Sequence, residues 1–329
     1  MTAIAFAIPA HAEGELNLYS SRHYDTDERL YSNFEEQTGI TINRIEASAD
    51  ELIERIASEG ADSPADVLLT VDAGRIWRAD DKALLAPVDS AVLNAKIPSH
   101  LRHPDGHWFG FSQRARVIFY NKDRVAEPPQ TYQDLADAKY KGQVCARSSS
   151  NIYMLSLMSF LIDNLGEEAA TGWAKAFREN MARAPEGNDT AQLKALISGE
   201  CDIAVGNTYY FSRAIRKNVD GLPEDPRSEI GWVFPNQSDI GTHVNISGGA
   251  LVASAPNKEN AIKFLEYLAS DEAQEYFSAG NDEYPAVPGM GLSESVAALG
   301  FFRPATTNLA VLGINQAKAQ EIYNEVGYE

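Results

Sequence analysis

Short apolar segments alternate with helical patterns over the first seventy residues of this chain. The segments 16–19, 40–45 and 67–71 have the length and apolar content of strands, and each stretch between them carries apolar residues at helical spacing before a glycine. Ser48 followed by a glutamate three residues later indicates the capped start of the second helix. This β–α–β–α–β order predicts an α/β fold with a mixed, mostly parallel sheet flanked by helices.

The alternation resumes beyond residue 112, which indicates two lobes. A chain of 329 residues is long for one core, and the strand patterns at 116–121 and 243–252 are placed to carry the chain between lobes. The predicted divisions are 13–112 and 237–287 for the N-lobe, 113–236 for the C-lobe, and 288–329 for its C-terminal helices. Ligands of open α/β sheets bind beyond the carboxyl ends of the strands, so the expected ligand cleft lies between the lobes.

Charge and hydropathy exclude several classes of protein. The formal net charge is −19, which argues against a nucleic-acid partner because phosphate binding requires an excess of lysine and arginine. Apolar runs fall short of the ~20 residues that cross a bilayer. Residues 1–12 are largely apolar and end in an Ala-His-Ala cleavage pattern, which we interpret as a signal-peptide remnant, with an ordinary first strand as the alternative. We therefore expect an exported protein without a membrane-spanning helix.

The chain has two cysteines, Cys145 and Cys201, each at the edge of a predicted strand. Disulfides persist in proteins outside the cytoplasm, so these residues are candidates for a bridge that would pin the loops beside them. Two separate buried thiols are the alternative.

Tyrosines stand at the ends of several predicted strands. Tyr24 follows the first strand, Tyr153 follows a later one, and the pair Tyr209 and Tyr210 stands where a strand passes into a helix. Adjacent side chains diverge within a strand or helix, but at such a junction both can face one cleft. Packing alone is the alternative explanation for an isolated tyrosine pair. Together, the four positions predict one polar cluster.

Several phenols in one pocket favour a hard, highly charged cation. Free phenols have a pKa of about 10, and metal binding requires that they lose their protons. Ferric iron suits oxygen donors of this kind better than zinc or copper does. Four phenolates would leave one excess negative charge on Fe³⁺, which Arg22, Arg116 or Arg213 could offset.

Six segments resemble the periplasmic ferric iron-binding proteins of bacterial ABC transporters, and the resemblance spans nearly all of the chain after residue 12. These segments are residues 19–24, 66–75, 114–122, 147–153, 207–210 and 241–248. The resemblance implies a two-lobed type II periplasmic binding protein fold that closes on Fe³⁺ by a hinge.

The resemblance also implies the ligands. Tyr153, Tyr209 and Tyr210 would bind iron from one lobe and Tyr24 from the other. His23 is a candidate fifth ligand, with water or an anion as the alternative at that position. Four tyrosines argue for binding that needs no synergistic anion. Ser149 belongs to a hydroxyl-rich loop that could orient Tyr153 or hold an anion.

We therefore expect a monomeric periplasmic protein that captures Fe³⁺ and delivers it to an inner-membrane ABC permease, and that is not an enzyme. One alternative is a related transporter component for an organic or phosphate anion. The other is a secreted iron–phenolate enzyme, which would need an open coordination position. His103 and His107 have ligand-like spacing but stand in a turn-rich segment, where we expect them to be surface groups.

Overall fold

The computed structural model describes residues 14–22 and 25–329, so the expected signal-peptide remnant lies outside the described residues. The strands are β1 (Glu15–Ser20), β2 (Thr41–Glu46), β3 (Val67–Val71), β4 (Leu85–Ala86), β5 (Phe109–Asn121), β6 (Val144–Cys145), β7 (Ile203–Asn207), β8 (Ile230–Val233), β9 (Val244–Val252) and β10 (Tyr284–Pro285).

The first eight helices are α1 (Glu28–Thr38), α2 (Ala49–Glu59), α3 (Ala73–Asp81), α4 (Ala91–Lys96), α5 (Ile152–Leu165), α6 (Glu167–Glu179), α7 (Asp189–Ser198) and α8 (Thr208–Arg216). The others are α9 (Lys258–Leu268), α10 (Asp271–Asn281), α11 (Glu294–Ala297), α12 (Val311–Ile314) and α13 (Gln316–Val326). Within the part of the chain that the structure describes, no helix has the length and apolar character needed to span a bilayer.

Local sequence signals account for several of these boundaries. The predicted capping box of α2 is present, because the Ser48 hydroxyl accepts the amide of Glu51 and the Glu51 carboxylate accepts the amide of Ser48. The predicted bounds of β3 are confirmed. The segment 288–329, predicted to hold the C-terminal helices, contains α11, α12 and α13.

The sheet is mixed, as predicted, and helices flank it. Its main strand order is β2-β1-β3-β9-β5-β7-β6, with β4 beside β9 and both β8 and β10 beside β5. Parallel pairing is the minority, accounting for three of the nine described strand pairs. The long strands β5 and β9 run against their neighbours, which is why the expectation of a mostly parallel sheet does not describe the centre of the molecule.

Strand β5 joins the two halves of this sheet. Residues 109–115 pair with β9, whereas 116–121 pair with β7 on one side and β8 on the other. A strand that crosses between halves was predicted here, although it begins seven residues earlier than expected. Near the C-terminus, α12 packs against α3 of the first half and α5 of the second. The exact lobe divisions at residues 112, 236 and 287 stay predictions.

Cys145 and Cys201 form a disulfide in the structure, with their Cα atoms 5.9 Å apart. Cys145 ends β6, and Cys201 lies two residues before β7, the parallel neighbour of β6. Both cysteines are buried. The bridge therefore ties together the two strands that lead into the tyrosine-bearing helices.

Loss of this disulfide should destabilise the fold without changing its topology. The bridge spans a sequence separation of 56 residues, for which chain entropy gives a stabilisation of about 4 kcal/mol. We expect the double variant Cys145→Ala/Cys201→Ala to lose stability on that scale in denaturant unfolding. Reduced wild-type protein is the matched comparison, and equal midpoints with and without reductant would contradict the expectation.

Candidate functional site

The tyrosines singled out by the sequence lie at the first turns of two helices. Tyr153 is the second residue of α5, whose Asn151 side chain caps the helix by accepting the Tyr153 amide at 3.1 Å. Tyr209 and Tyr210 are the second and third residues of α8, which follows β7 without an intervening loop. Strands β6 and β7 are parallel neighbours, so both helices begin at one edge of the sheet.

The three phenol groups form one cluster. The hydroxyl oxygens of Tyr153 and Tyr209 are 3.3 Å apart, and the rings of Tyr209 and Tyr210 lie 4.2 Å apart between centroids at a tilt of 31°. Tyr209 is buried, whereas Tyr153 and Tyr210 are half-buried. Their oxygen atoms offer several hard donors from one side of a potential ligand.

Guanidinium groups surround this cluster. Among the described residues, Arg116 and Arg147 lie 5.8 and 5.2 Å from the Tyr153 ring centroid. Arg114 and Arg213 lie 5.7 and 5.5 Å from the Tyr209 ring. Arginine over an aromatic face stabilises the assembly, and its positive charge favours the ionised form of a nearby phenol.

Sequence reasoning selected Arg116 and Arg213 but missed Arg114 and Arg147. The missed signal at Arg114 is its position two residues before Arg116 on the same strand, since alternate residues of a strand share a face. Arg147 lies two residues after Cys145, in the loop between β6 and α5, the helix that carries Tyr153.

Asp189 anchors two of these arginines and was also missed. Its buried carboxylate lies 2.8 Å from Arg116 and 3.6 Å from Arg147, and it accepts the Asn207 amide at 2.7 Å. Asp189 therefore connects the first turn of α7 to the junction that carries Tyr209. An acid in the first turn of a helix is common, so the sequence does not distinguish this one from a solvated residue.

The surroundings of Tyr153 favour its neutral phenol form. Burial raises the pKa of Tyr153, and the neighbouring Tyr210 raises it further, while Arg114 and the hydrogen bond with Tyr209 act in the opposite direction. A cation that binds these oxygens must therefore displace their protons. Binding of a metal by the Tyr153 oxygen would therefore be coupled to proton release.

A buried ion-pair network lies behind the cluster. Arg22 contacts both carboxylate oxygens of Asp27, at 3.0 and 3.1 Å, and lies 3.3 Å from Glu283. Arg114 donates to the other Glu283 oxygen, and both arginines donate to the Ser247 hydroxyl. Two arginines and two carboxylates balance in charge here.

This network reaches the segment that holds the remaining predicted ligands. Arg22 directly precedes His23 and Tyr24, which lie outside the described residues. Their roles as ligands therefore stay predictions. Ser149 is buried in the turn before α5, and its suggested role in orienting Tyr153 also stays a prediction.

A second buried carboxylate, that of Asp72, connects the first half of the sheet to helix α5. Asp72, at the end of β3, accepts the Ser156 hydroxyl from α5 at 2.8 and 2.9 Å and the Asn245 amide group from β9 at 2.8 Å. Asp72 has a positive φ of 81°, a conformation that non-glycine residues adopt at a cost. Ser156 lies about one helical turn beyond Tyr153, so this contact positions the start of α5.

Comparison with known proteins gives a consistent set of matches. The family profile described as bacterial extracellular solute-binding protein matches residues 29–303. Iron uptake protein A1 from Synechocystis is 51% identical over 316 residues, covering 96% of this chain and 88% of that protein. The Fe(3+)-binding periplasmic protein of Serratia marcescens is 30% identical over 322 residues, covering 97% and 92%.

A solved structure of a Trichodesmium protein in complex with iron and citrate ligands superposes with a TM-score of 0.92. The two sequences are 53% identical, and the match covers 96% of this chain and 100% of that one.

The ion pairs of Glu283 should make stability depend on pH. Burial alone raises the pKa of Glu283, but Arg114, Arg22 and the Ser112 hydroxyl outweigh burial and lower the pKa to about 2. A lowered pKa contributes stability above the unfolded value of about 4.3, and that contribution is lost as pH falls toward 2; its size is roughly 3 kcal/mol.

We therefore expect Glu283→Gln to be destabilised at neutral pH, with the difference from wild type shrinking on acidification. Denaturant unfolding between pH 7 and pH 3 measures this difference. The exposed residue Glu36 supplies the matched control, Glu36→Gln. A gap between wild type and Glu283→Gln that stays constant with pH would rule out the charge-based explanation.

Proposed function

Because this chain belongs to the family of bacterial extracellular solute-binding proteins, we propose that it captures ferric iron in the periplasm and delivers it to an inner-membrane ABC permease. The observation that carries the proposal is the cluster of Tyr153, Tyr209 and Tyr210 at two adjoining helix starts. The fold is that of a type II periplasmic binding protein, as predicted. Relatives described as iron-uptake and ferric-iron-binding proteins support the choice of cargo.

The donor chemistry supports Fe³⁺ over other cations. Three phenolates from Tyr153, Tyr209 and Tyr210 balance the charge of a ferric ion, and hard oxygen donors match a hard cation. A fourth phenolate from Tyr24 would leave the site with one excess negative charge. The surrounding guanidinium groups offset such charge and favour ionised phenols.

Closure of the two lobes completes the proposed site. Tyr24, with His23 as a further candidate ligand, would approach from the lobe opposite the three described tyrosines. The Asp72–Ser156 contact joins segments on either side of the proposed division at residue 112, and we place the pivot of closure near it. A permease that recognises only the closed form would then accept only the loaded protein.

Two other functions fit the site less well. An iron–phenolate enzyme needs a coordination position open to substrate, and four tyrosines with His23 would nearly fill the shell. Relatives described as an iron uptake protein and a Fe(3+)-binding periplasmic protein favour a non-enzymatic role. A binding protein for an anion would use the arginines directly, yet Arg116 is already paired with Asp189 and Arg114 with Glu283.

Removal of one phenol should change both the colour and the affinity of the iron complex. Phenolate bound to Fe³⁺ absorbs strongly in the visible range, so we expect the iron-loaded wild type to be red to purple. Tyr210→Phe should shift or weaken that band and bind iron at least about tenfold more weakly, since ligand loss exceeds the effect of losing an outer partner. Absorbance titration with a competing chelator measures both.

Tyr267→Phe is the matched control, because Tyr267 lies in α9 away from the cluster and its removal deletes one ring hydroxyl in the same way. A colourless iron-loaded protein, together with unchanged affinity in Tyr210→Phe, would reject iron as the cargo.

Iron binding should not require an added anion. Four phenolates supply enough negative charge for Fe³⁺, so we expect the full visible band to form in buffer free of citrate, phosphate and carbonate. The Trichodesmium structure contains citrate, which makes citrate the sharpest comparison. If colour appears only after citrate is added, the ligand shell includes an anion and the four-phenolate proposal is incorrect.

A further inference from the structure

A second cluster of side chains of the types that ligate metals lies on segments other than those that carry the tyrosines. Asp80, His103 and His107 each offer one ligand atom, and these three atoms lie within 4.8 Å of one another. Asp80 belongs to the last turn of α3, and the two histidines flank the turn before β5. Both predicted surface histidines are half-buried, with side chains 15% and 30% exposed.

The aspartate already brings both imidazoles to one point. Its two carboxylate oxygens lie 3.2 Å from His103 Nε2 and 2.5 Å from His107 Nδ1. The imidazole rings are nearly parallel, with centroids 4.6 Å apart. Donors around a tetrahedral Zn²⁺ are separated by about 3.4 Å, as follows from bonds of about 2.1 Å. The three ligand atoms, which lie within 4.8 Å of one another, would have to shift to this spacing, with His107 moving away from Asp80 to make room for the ion.

The backbone holds the histidine turn in place. His103 donates its amide to the Trp108 carbonyl at 2.9 Å, and Gly106 donates its amide to the His103 carbonyl at 3.1 Å. Trp108 is fully buried. Gly106 has a φ of 79°, and a Cβ there would lie 2.9 Å from the Val88 carbonyl oxygen, so the turn is closely packed. Ligands on a rigid support favour metal binding because little order is lost on binding.

Two tautomer changes accompany coordination. His103 Nδ1 accepts the Asp105 amide at 3.1 Å, so Nε2 carries the ring proton and donates it to Asp80 in the metal-free protein. A cation at Nε2 moves that proton to Nδ1, and the Asp105 amide, which would then face an N–H group, must turn away from the ring. His107 transfers its proton from Nδ1 to Nε2 in the same way.

From this geometry we propose that Asp80, His103 and His107 form a binding site for a divalent transition cation of the zinc class. Two imidazole nitrogens and one carboxylate oxygen suit Zn²⁺ and its neighbours better than they suit Ca²⁺ or Mg²⁺, which prefer oxygen alone. Three protein ligands leave a fourth position for water. The site is independent of the proposed iron function, and its donor set differs from the phenol cluster.

Zinc titration of the full chain without an affinity tag tests the proposal. Isothermal calorimetry in a non-chelating buffer should show one Zn²⁺ per wild-type molecule. His107→Gln and Asp80→Asn should each weaken binding at least about tenfold, because even outer partners of a metal contribute about that factor. His100→Gln is the matched control, since His100 lies on the same segment but outside the cluster, and it should bind Zn²⁺ as wild type does.

A second comparison separates this site from the tyrosines. The double variant Tyr209→Phe/Tyr210→Phe should retain zinc binding, and His107→Gln should retain the iron-dependent colour. The proposal is overturned if wild type binds no Zn²⁺, which would leave the cluster as a hydrogen-bonded trio only. It is equally overturned if the tyrosine double variant loses zinc binding while His107→Gln and Asp80→Asn do not. Failure of the iron colour alone would affect only the proposed function.

Discussion

The parallel pairing of β6 with β7 is the constraint on which the candidate site depends. Each strand leads into a helix whose first turn carries tyrosines, so their alignment brings Tyr153 beside Tyr209. The disulfide between Cys145 and Cys201 ties the end of β6 to the segment just before β7. Both helix starts face one region, where the unpaired amides of a helix N-terminus favour negative charge. Phenolates are therefore better tolerated here than within a helix.

Buried ion pairs between arginines and carboxylates hold the region behind the phenols together. Buried arginines are costly unless they are paired, and each arginine that approaches the cluster from β5 has a buried carboxylate partner. Asp189 serves Arg116, and Glu283 serves Arg114 together with Arg22. These acids hold the guanidinium groups in fixed positions, and Asp189 opposes the effect of Arg114 on the pKa of Tyr153. Loss of the phenol protons would therefore depend on a cation of high charge, such as the proposed Fe³⁺.

A strand, a helix and a buried polar contact join the two halves of the sheet and the helices packed on them. Strand β5 runs through both, and helix α12 contacts α3 and α5. Asp72 adds a buried polar contact from β3 to Ser156 on α5. Because Ser156 and Tyr153 share a helix, a relative rotation of the halves would be transmitted to the phenol cluster. This arrangement is consistent with the proposed closure on a ligand, since the proposed pivot and the phenol cluster share helix α5.

Sequence alone determined the α/β class, the capped start of α2, and the residue types that favour ferric iron, because caps, periodicity and donor chemistry are local properties. It also selected the two cysteines and three of the tyrosines that the structure brings together. Tertiary structure alone decided that Asp189 and Glu283 are buried partners of arginine, that Asp72 reaches Ser156, and that Asp80 gathers two histidines from another segment. Those contacts join residues distant in sequence, and burial gives an otherwise ordinary carboxylate its role.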